Sequence, residues 1–262
     1  MRRLDLIAMA MLTLAAGGAG AACKLKVGYT NLETPPYYLG SGPVEATPAG
    51  ASVDLIREAA ASVGCTVISV RLPPLRVPAA LEAGTIDFAP LGAKAGEGLQ
   101  IAYPLDNDGQ PDRERSMQMH TVVFVRKADG YAKDADAVRL LKGKKVGTTH
   151  GSAYAAALRQ LGFDVDEGAS NTLRNFDKLM LRRLDGFAVA LVNPGDMDAV
   201  IAARYHGELM RFDKPIRSSQ IWLPSSKAFY ASQRETTEAI WAWIGSKGSI
   251  RFAQILKKYD TD

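Results

Sequence analysis

Apolar residues occupy every second position at the start of the segment that follows residue 23. Leu25, Val27 and Tyr29 share one face of this pattern, and a period of two is typical of a β-strand with one buried side. Pro35 and Pro36 come next. Because proline has a fixed φ and no amide donor, it cannot continue a sheet. The pattern predicts a first strand that ends before a proline-containing loop.

Helical and extended patterns then alternate along the chain. Residues 53–64 carry apolar side chains at helical spacing and end in a glycine, and residues 66–72 are rich in β-branched side chains. A short helix over 77–83 and an extended segment over 85–93 follow. This strand–helix–strand–helix–strand order predicts a parallel sheet with crossover helices.

A second series of the same kind begins after the polar stretch 106–115. A strongly apolar strand over 119–127 opens it. The patterns then predict strands over 145–149, 163–165, 187–192 and 220–223, and helices over 138–141, 152–161, 172–183, 196–205, 234–244 and 249–259. The two series are similar in length but share no fixed-period repeat, which indicates two α/β lobes rather than a solenoid.

The first 22 residues have the pattern of a secretory leader. Two arginines precede an apolar run over 6–16, and small residues fill 17–22, with cleavage after Ala21 or Ala22. We therefore expect an exported, periplasmic protein. Removing the leader takes away two Arg and one Asp, which lowers the formal charge from +4 to +3. The sequence contains no basic run with interleaved aromatic residues, so it gives no indication of nucleic-acid binding.

Cys23 and Cys65 are the two cysteines of the chain. Each lies just before a predicted strand, and strands joined by one helix are usually parallel neighbours. Their amino ends then lie about 4.8 Å apart, within the Cα separation of about 4.4–6.8 Å that a disulfide needs. Acylation of Cys23 is the competing interpretation. Neither cysteine has metal-ligand spacing to a histidine.

Five segments, in this order, resemble a known family: LKVGYTNLETPPYY, VDLIREAAASVG, LRVPAALEAGTIDFAPLGA, LKGKKVGTTHGSAYAAAL and SIRFAQILKKY. The chain is similar to bacterial extracellular solute-binding protein family 3, the periplasmic receptors of polar amino-acid ABC importers. The resemblance implies the type II periplasmic binding fold, with two Rossmann-like lobes joined by two crossing hinge strands near 121–126 and 219–223. It places the first lobe at 23–118 and 219–262, and the second at 119–218.

The resemblance also implies a function and a ligand site between the lobes. We expect a monomer that captures a small solute and presents it to an ABC permease. The family's carboxylate-binding Arg is replaced by Gly98, and its ammonium-binding Asp by Ala190. The aromatic residue usual before Arg76 is also missing, since Pro74 and Leu75 stand there. These departures predict a small polar or anionic solute rather than an ordinary α-amino acid.

Tyr37 and Tyr38 follow the carboxyl end of the first predicted strand, the end that faces the ligand crevice in an open α/β sheet. Gly151 and Ser152 open a predicted helix whose free amides attract anions, although Ser152 can equally be a helix cap. Lys94 can supply a point charge in place of the missing Arg, or be a solvated loop residue. Arg76 can face the cleft, or pair with Glu33 or Asp87. The full candidate set is Tyr29, Tyr38, Arg76, Gly92, Lys94, Gly151, Ser152 and Asn193.

Catalytic alternatives have less support in the sequence. His150 and Ser152 are too close in sequence to form a hydrogen-bonded pair with a third orienting group, and GKKVGTTHGS lacks the ending of a P-loop. A lone carboxylate, Glu33 or Glu97, leaves open a periplasmic lyase or dehydratase on the same fold. A sensory or accessory binder without a transporter is a third reading. We predict a protein that is not an enzyme and that needs no metal or cofactor.

Overall fold

The computed structural model describes residues 23–92 and 96–259, so the predicted leader and Lys94 lie outside the described residues. Its strands are β1 (Lys24–Thr30), β2 (Thr66–Leu72), β3 (Ile101–Ala102), β4 (Met117–Arg126), β5 (Lys145–Thr149), β6 (Asp164–Ala169), β7 (Gly186–Leu191), β8 (Leu209–Arg211), β9 (Arg217–Ile221) and β10 (Ser225–Ser226).

The helices are α1 (Ala51–Ala61), α2 (Val77–Glu82), α3 (Ala137–Leu141), α4 (Ala155–Gln160), α5 (Thr172–Met180), α6 (Asp198–Arg204), α7 (Lys227–Ser232), α8 (Arg234–Trp243) and α9 (Ser249–Leu256). A π-helical turn over Ile244–Gly248 joins α8 directly to α9. Within the described residues, no helix is long and apolar enough to cross a membrane.

The first sheet is built on β1. β2 pairs with it in parallel from Lys24↔Thr66 to Thr30↔Leu72. On the other side of β1, the predicted strand over 85–93 forms isolated bridges rather than a continuous ladder. Phe88 pairs with Val27 in parallel and with Ser225 in the antiparallel direction. One face of this sheet packs on α1 and the other on α2. The sheet therefore brings the carboxyl ends of β1 and β2 to one edge.

The second sheet has the strand order β6-β5-β7-β4-β8. β5 is parallel to β6 and β7, whereas β4 is antiparallel to β7 and β8. Its core centres on Phe176, which meets Phe124 and Phe187 edge-to-face at centroid distances of 5.0 and 4.8 Å. Such pairs prefer this geometry because the positive ring edge meets a negative ring face.

Two antiparallel strands link the sheets. β4 pairs with β9 from Met117↔Ile221 to Thr121↔Arg217, and this pair extends the second sheet towards the first. The crossing therefore lies earlier in both strands than the predicted 121–126 and 219–223, because the apolar run after Thr121 is buried between β7 and β8. The predicted fold class is confirmed. The lobe limits 23–118, 119–218 and 219–262 stay a prediction.

The predicted disulfide between Cys23 and Cys65 is present. Their Cα atoms are 4.5 Å apart across the amino ends of β1 and β2, and the Thr66 amide donates to the Cys23 carbonyl at 2.9 Å. The bond uses the Cys23 thiol that acylation would require.

Candidate functional site

The loops at the carboxyl ends of the strands meet between the two sheets. Gly151 follows β5 with φ at +72°, and a Cβ built on it would lie 3.4 Å from side-chain atoms of both Pro74 and Leu75. These two residues precede α2 in the first lobe. Leu75 is 71% exposed, so an apolar side chain borders the cleft where the resembled family has an aromatic one. We call the space between these loops the interlobe cleft.

A hydrogen bond crosses the interlobe cleft at Glu33. Asn171 Nδ2 donates to Glu33 Oε2 at 2.9 Å, while Glu33 Oε1 accepts from the Gly40 amide at 3.2 Å. Asn171 also caps α5, since its Oδ1 accepts from the Leu173 amide at 2.7 Å. Both side chains are therefore held by their own lobes as well as by each other.

A second polar contact between the lobes is centred on Asp196. The Tyr37 hydroxyl donates to Asp196 Oδ2 and accepts from the Val192 amide at 2.8 Å. Asn193 donates to the same carboxylate from its amide at 2.9 Å and from Nδ2 at 3.0 Å. The Tyr37 ring is 3% exposed and stacks on Phe252. We call Tyr37 and Asp196, with the Val192 amide, the interlobe latch.

Electrostatics keeps the latch tyrosine protonated. Burial, and after it the negative charge of Asp196, raises the pKa of the Tyr37 hydroxyl above its ordinary range. The hydroxyl therefore stays available as a donor to the carboxylate. Sequence reasoning placed Tyr37 at the mouth of the crevice, because it directly follows the two prolines, but left it out of the candidate set. It missed Asp196, which lies 159 residues away along the chain.

Ser152 does not begin the helix that the sequence predicted. α4 starts at Ala155, and Ser152 lies in the turn before it. Its hydroxyl donates to the Thr149 carbonyl at 2.5 Å and accepts from Thr148 Oγ1 at 3.1 Å. The prediction of a helix start at Ser152 was wrong, because the left-handed Gly151 closes a tight turn first. Gly151 itself lies at the cleft.

Tyr29 faces the helix α1 rather than the cleft. Side chains alternate along a strand, so Tyr29 shares the face of Leu25 and Val27. Its hydroxyl donates to Glu45 Oε2 at 2.6 Å, and its ring stacks on Tyr38 at 5.5 Å. Burial, with the Glu45 hydrogen bond, raises the pKa of Tyr29 to about 12. We therefore leave Tyr29 out of the site proposed below.

The remaining candidates lie in different surroundings. Tyr38 borders a small apolar cavity beside α1. Gly92 lies against the crossing strand, with its Cβ position 3.5 Å from the Gln220 carbonyl. Arg76 is exposed and forms no ion pair within the described residues. Asn193 is tied to Asp196, as described above.

The two positions that carry ligand-binding charges in the resembled family hold none here. Gly98 is exposed, with φ at +79° and open space around its Cβ position. Ala190 lies inside β7 and pairs with Thr121 of the crossing strand.

Asn31, directly after β1, has a buried Oδ1 without a hydrogen-bond partner in the described part of the chain. Such an orphaned acceptor needs an explanation, and a donor on a ligand would supply one.

Solved structures similar to this chain include ligand-binding proteins. The chain is similar to the GluR0 ligand binding core in complex with L-glutamate, with a TM-score of 0.68 and 15% identity over 92% of this chain and 99% of that one. It is also similar to an ancestral arginine-binding protein bound to arginine, with a TM-score of 0.63 and 18% identity over 90% and 97% of the chains.

A third similar structure is an ABC uptake transporter substrate binding protein from Streptococcus pneumoniae with bound histidine. Its TM-score is 0.62, and its identity is 17% over 90% of this chain and 92% of that one. No family model and no curated protein matches the sequence. At these identities the likeness establishes the fold, which is the one that the five sequence segments predicted.

Proposed function

We propose that the protein is a periplasmic solute-binding protein that closes its two lobes around a small polar or anionic solute. The interlobe hydrogen bonds carry the proposal. Glu33 with Asn171, and Tyr37 with Asp196, join loops of opposite lobes, and the antiparallel strands β4 and β9 carry the chain between the two lobes. Lobes held by a two-strand hinge and by breakable polar contacts can open and close around a ligand.

The side chains at the cleft support a ligand class other than ordinary α-amino acids. Gly98 and Ala190 offer no charge to a carboxylate or an ammonium group. Arg76 supplies positive charge on the first lobe, and the sequence adds a second cation, Lys94, two residues after Gly92. We infer that an anionic group of the solute binds on this side of the cleft.

Solute binding can be tested directly. A thermal-shift screen of small solutes should give hits among anionic and polar compounds, and calorimetry against the common amino acids should give weak binding or none. Mass spectrometry of each hit after incubation should find it chemically unchanged. Submicromolar binding of a zwitterionic amino acid would contradict the ligand class, and conversion of a hit would favour an enzyme.

The charge assignment has its own test. Substitution of Arg76 or Lys94 by Ala should weaken binding of an anionic hit by about 1–3 kcal/mol, which is the usual cost of leaving a hydrogen-bonding group without its partner. Lys247→Ala is the matched control, because Lys247 is an exposed cation in the π-helical turn before α9. Equal affinities for all three variants and the wild type would refute the assignment.

We propose that the closed form is recognised by an ABC permease of the inner membrane. The similar substrate binding protein of an ABC uptake transporter supports this reading, and a sensory binder without a transporter is the second candidate. Uptake of the identified solute into cells, measured with and without the gene, separates the two. Normal uptake in the deletion strain would favour the sensory role.

A further inference from the structure

Two adjoining cavities lie beside the crossing strands. The inner cavity has a volume of about 70 Å³, and the outer one of about 210 Å³. Both are lined by Met117, Val192 and Phe252, so the two cavities adjoin at these three residues. We call the two cavities together the hinge crevice.

The two ends of the hinge crevice differ in chemistry. The inner cavity is lined mainly by apolar side chains, among them Leu55, Ile221 and Trp222. The outer cavity adds hydrogen-bonding side chains to its apolar wall, namely Gln118, His120, Asn193 and Ser249. No Asp, Glu, Lys or Arg is among the described residues that line either cavity.

The orientation of His120 is fixed by the other crossing strand. Its Nδ1 lies 2.9 Å from the Oγ of Ser218, which pairs with it across β4 and β9. Because this nitrogen is engaged at Ser218, the other ring nitrogen is the one left for an occupant of the outer cavity. The polar end therefore offers imidazole, amide and hydroxyl groups, which bind a neutral polar head without paying for a buried charge.

We propose that the hinge crevice is a second binding site, for a small neutral amphiphile. Its apolar chain would occupy the inner cavity and its hydroxyl or amide head the outer one. The crevice shares Tyr38 and Asn193 with the predicted ligand set but contains none of Arg76, Gly92 or Gly151. The proposal stands whether or not the interlobe cleft binds a solute.

Occupancy of the hinge crevice should be coupled to the position of the lobes. Gln118 lies on the crossing strand β4, Val192 and Asn193 follow β7 of the second lobe, and Phe252 lies on α9, which packs on α1. The Val192 amide is also part of the interlobe latch. An occupant therefore contacts both lobes at once and should stabilise the closed form, in which these walls meet.

A series of primary alcohols from ethanol to hexanol is the probe. Binding to the mature protein is followed by NMR through the Trp222 indole N–H, assigned with Trp222→Phe. Each buried methylene should tighten binding about fourfold until the inner cavity is full. Saturable shifts that follow this trend support the proposal. Absence of saturable shifts, or affinity independent of chain length, would overturn it.

A bulky side chain at the mouth of the outer cavity tests whether the alcohols bind in the hinge crevice. Ala253 lines this cavity and is exposed on α9, so Ala253→Trp should block entry without altering the core. Ala242→Trp is the matched control, because Ala242 is an exposed alanine of α8 that lines neither cavity. We expect at least tenfold weaker hexanol binding in the first variant and wild-type binding in the second. Equal binding by both variants, with circular dichroism showing both folded, would place the alcohol elsewhere.

Discussion

The hydroxyl of Tyr37 gives the most direct control over lobe closure. Tyr37→Phe keeps the buried ring and its stacking on Phe252, and removes only the group that joins Asp196 and the Val192 amide. In the open form, water can hydrate these partners. In the closed form of the variant they lose one donor and one acceptor. The substitution therefore acts mainly on the equilibrium between the two forms.

The magnitude follows from the contacts. A hydrogen bond to a charged group contributes about 1.5–3 kcal/mol, and Asp196 retains two donors from Asn193. We therefore expect the closed form to lose about 1.5–3 kcal/mol relative to the open one. Since a ligand held between the lobes binds the closed form, its affinity should fall about 10- to 150-fold.

Two measurements check this prediction. Small-angle scattering should give a larger radius of gyration for Tyr37→Phe than for the wild type at the same subsaturating ligand concentration. Calorimetry should give the loss of affinity for a confirmed ligand. Unchanged affinity together with an unchanged radius would refute the assignment of Tyr37 as a latch.

Tyr259→Phe is a matched control for the same chemistry. The Tyr259 hydroxyl also donates to a carboxylate, Asp54 Oδ2 at 2.8 Å, and accepts from an amide, Gly50 at 3.2 Å. Both partners belong to the first lobe, next to α1. This variant should lower the melting temperature yet leave ligand affinity and the scattering change intact. An equal loss of affinity in both variants would show that general destabilisation, not closure, is responsible.

Three further variants test the forces that hold the fold. Replacing Cys23 and Cys65 by Ala should lower the free energy of unfolding by about 4 kcal/mol on the chain-entropy model, with little change in ligand affinity; an unchanged melting temperature would contradict this. Arg251 lowers the pKa of Glu58 through two hydrogen bonds, so this pair stabilises above the unfolded value of 4.5. Arg251→Gln should therefore lower the free energy of unfolding at pH 7, and the difference from the wild type should disappear as pH falls below 4.5 through the folded-state pKa; a constant difference in urea unfolding across that range would be evidence against it. Arg126, 8% exposed, donates to two buried carbonyls and a carboxylate, so Arg126→Met should cost about 3–5 kcal/mol, and a loss below 1 kcal/mol would show that these acceptors find other partners.

The order of strands and helices could be predicted from the sequence because it depends on local periodicity. Alternation at Leu25, Val27 and Tyr29, and β-branched residues over 66–72, fix backbone geometry within a few residues. The disulfide could be predicted for the same reason, since two strands joined by one helix bring Cys23 and Cys65 together. The length and position of short elements depended on neighbours. Helix α4 begins at Ala155 because Gly151 closes a turn first.

The site itself depended on contacts that no local pattern contains. Three tyrosines lie near the end of β1, and the sequence favoured Tyr29 and Tyr38. Because side chains alternate along a strand, Tyr29 points towards α1 within the first lobe. Tyr37 instead contacts Asp196 of the second lobe. Composition and spacing thus determined the two-lobe class and the paired cysteines. Only the closing of one lobe on the other decided which polar groups meet, because hydrogen bonds between residues far apart in sequence depend on how the whole chain packs.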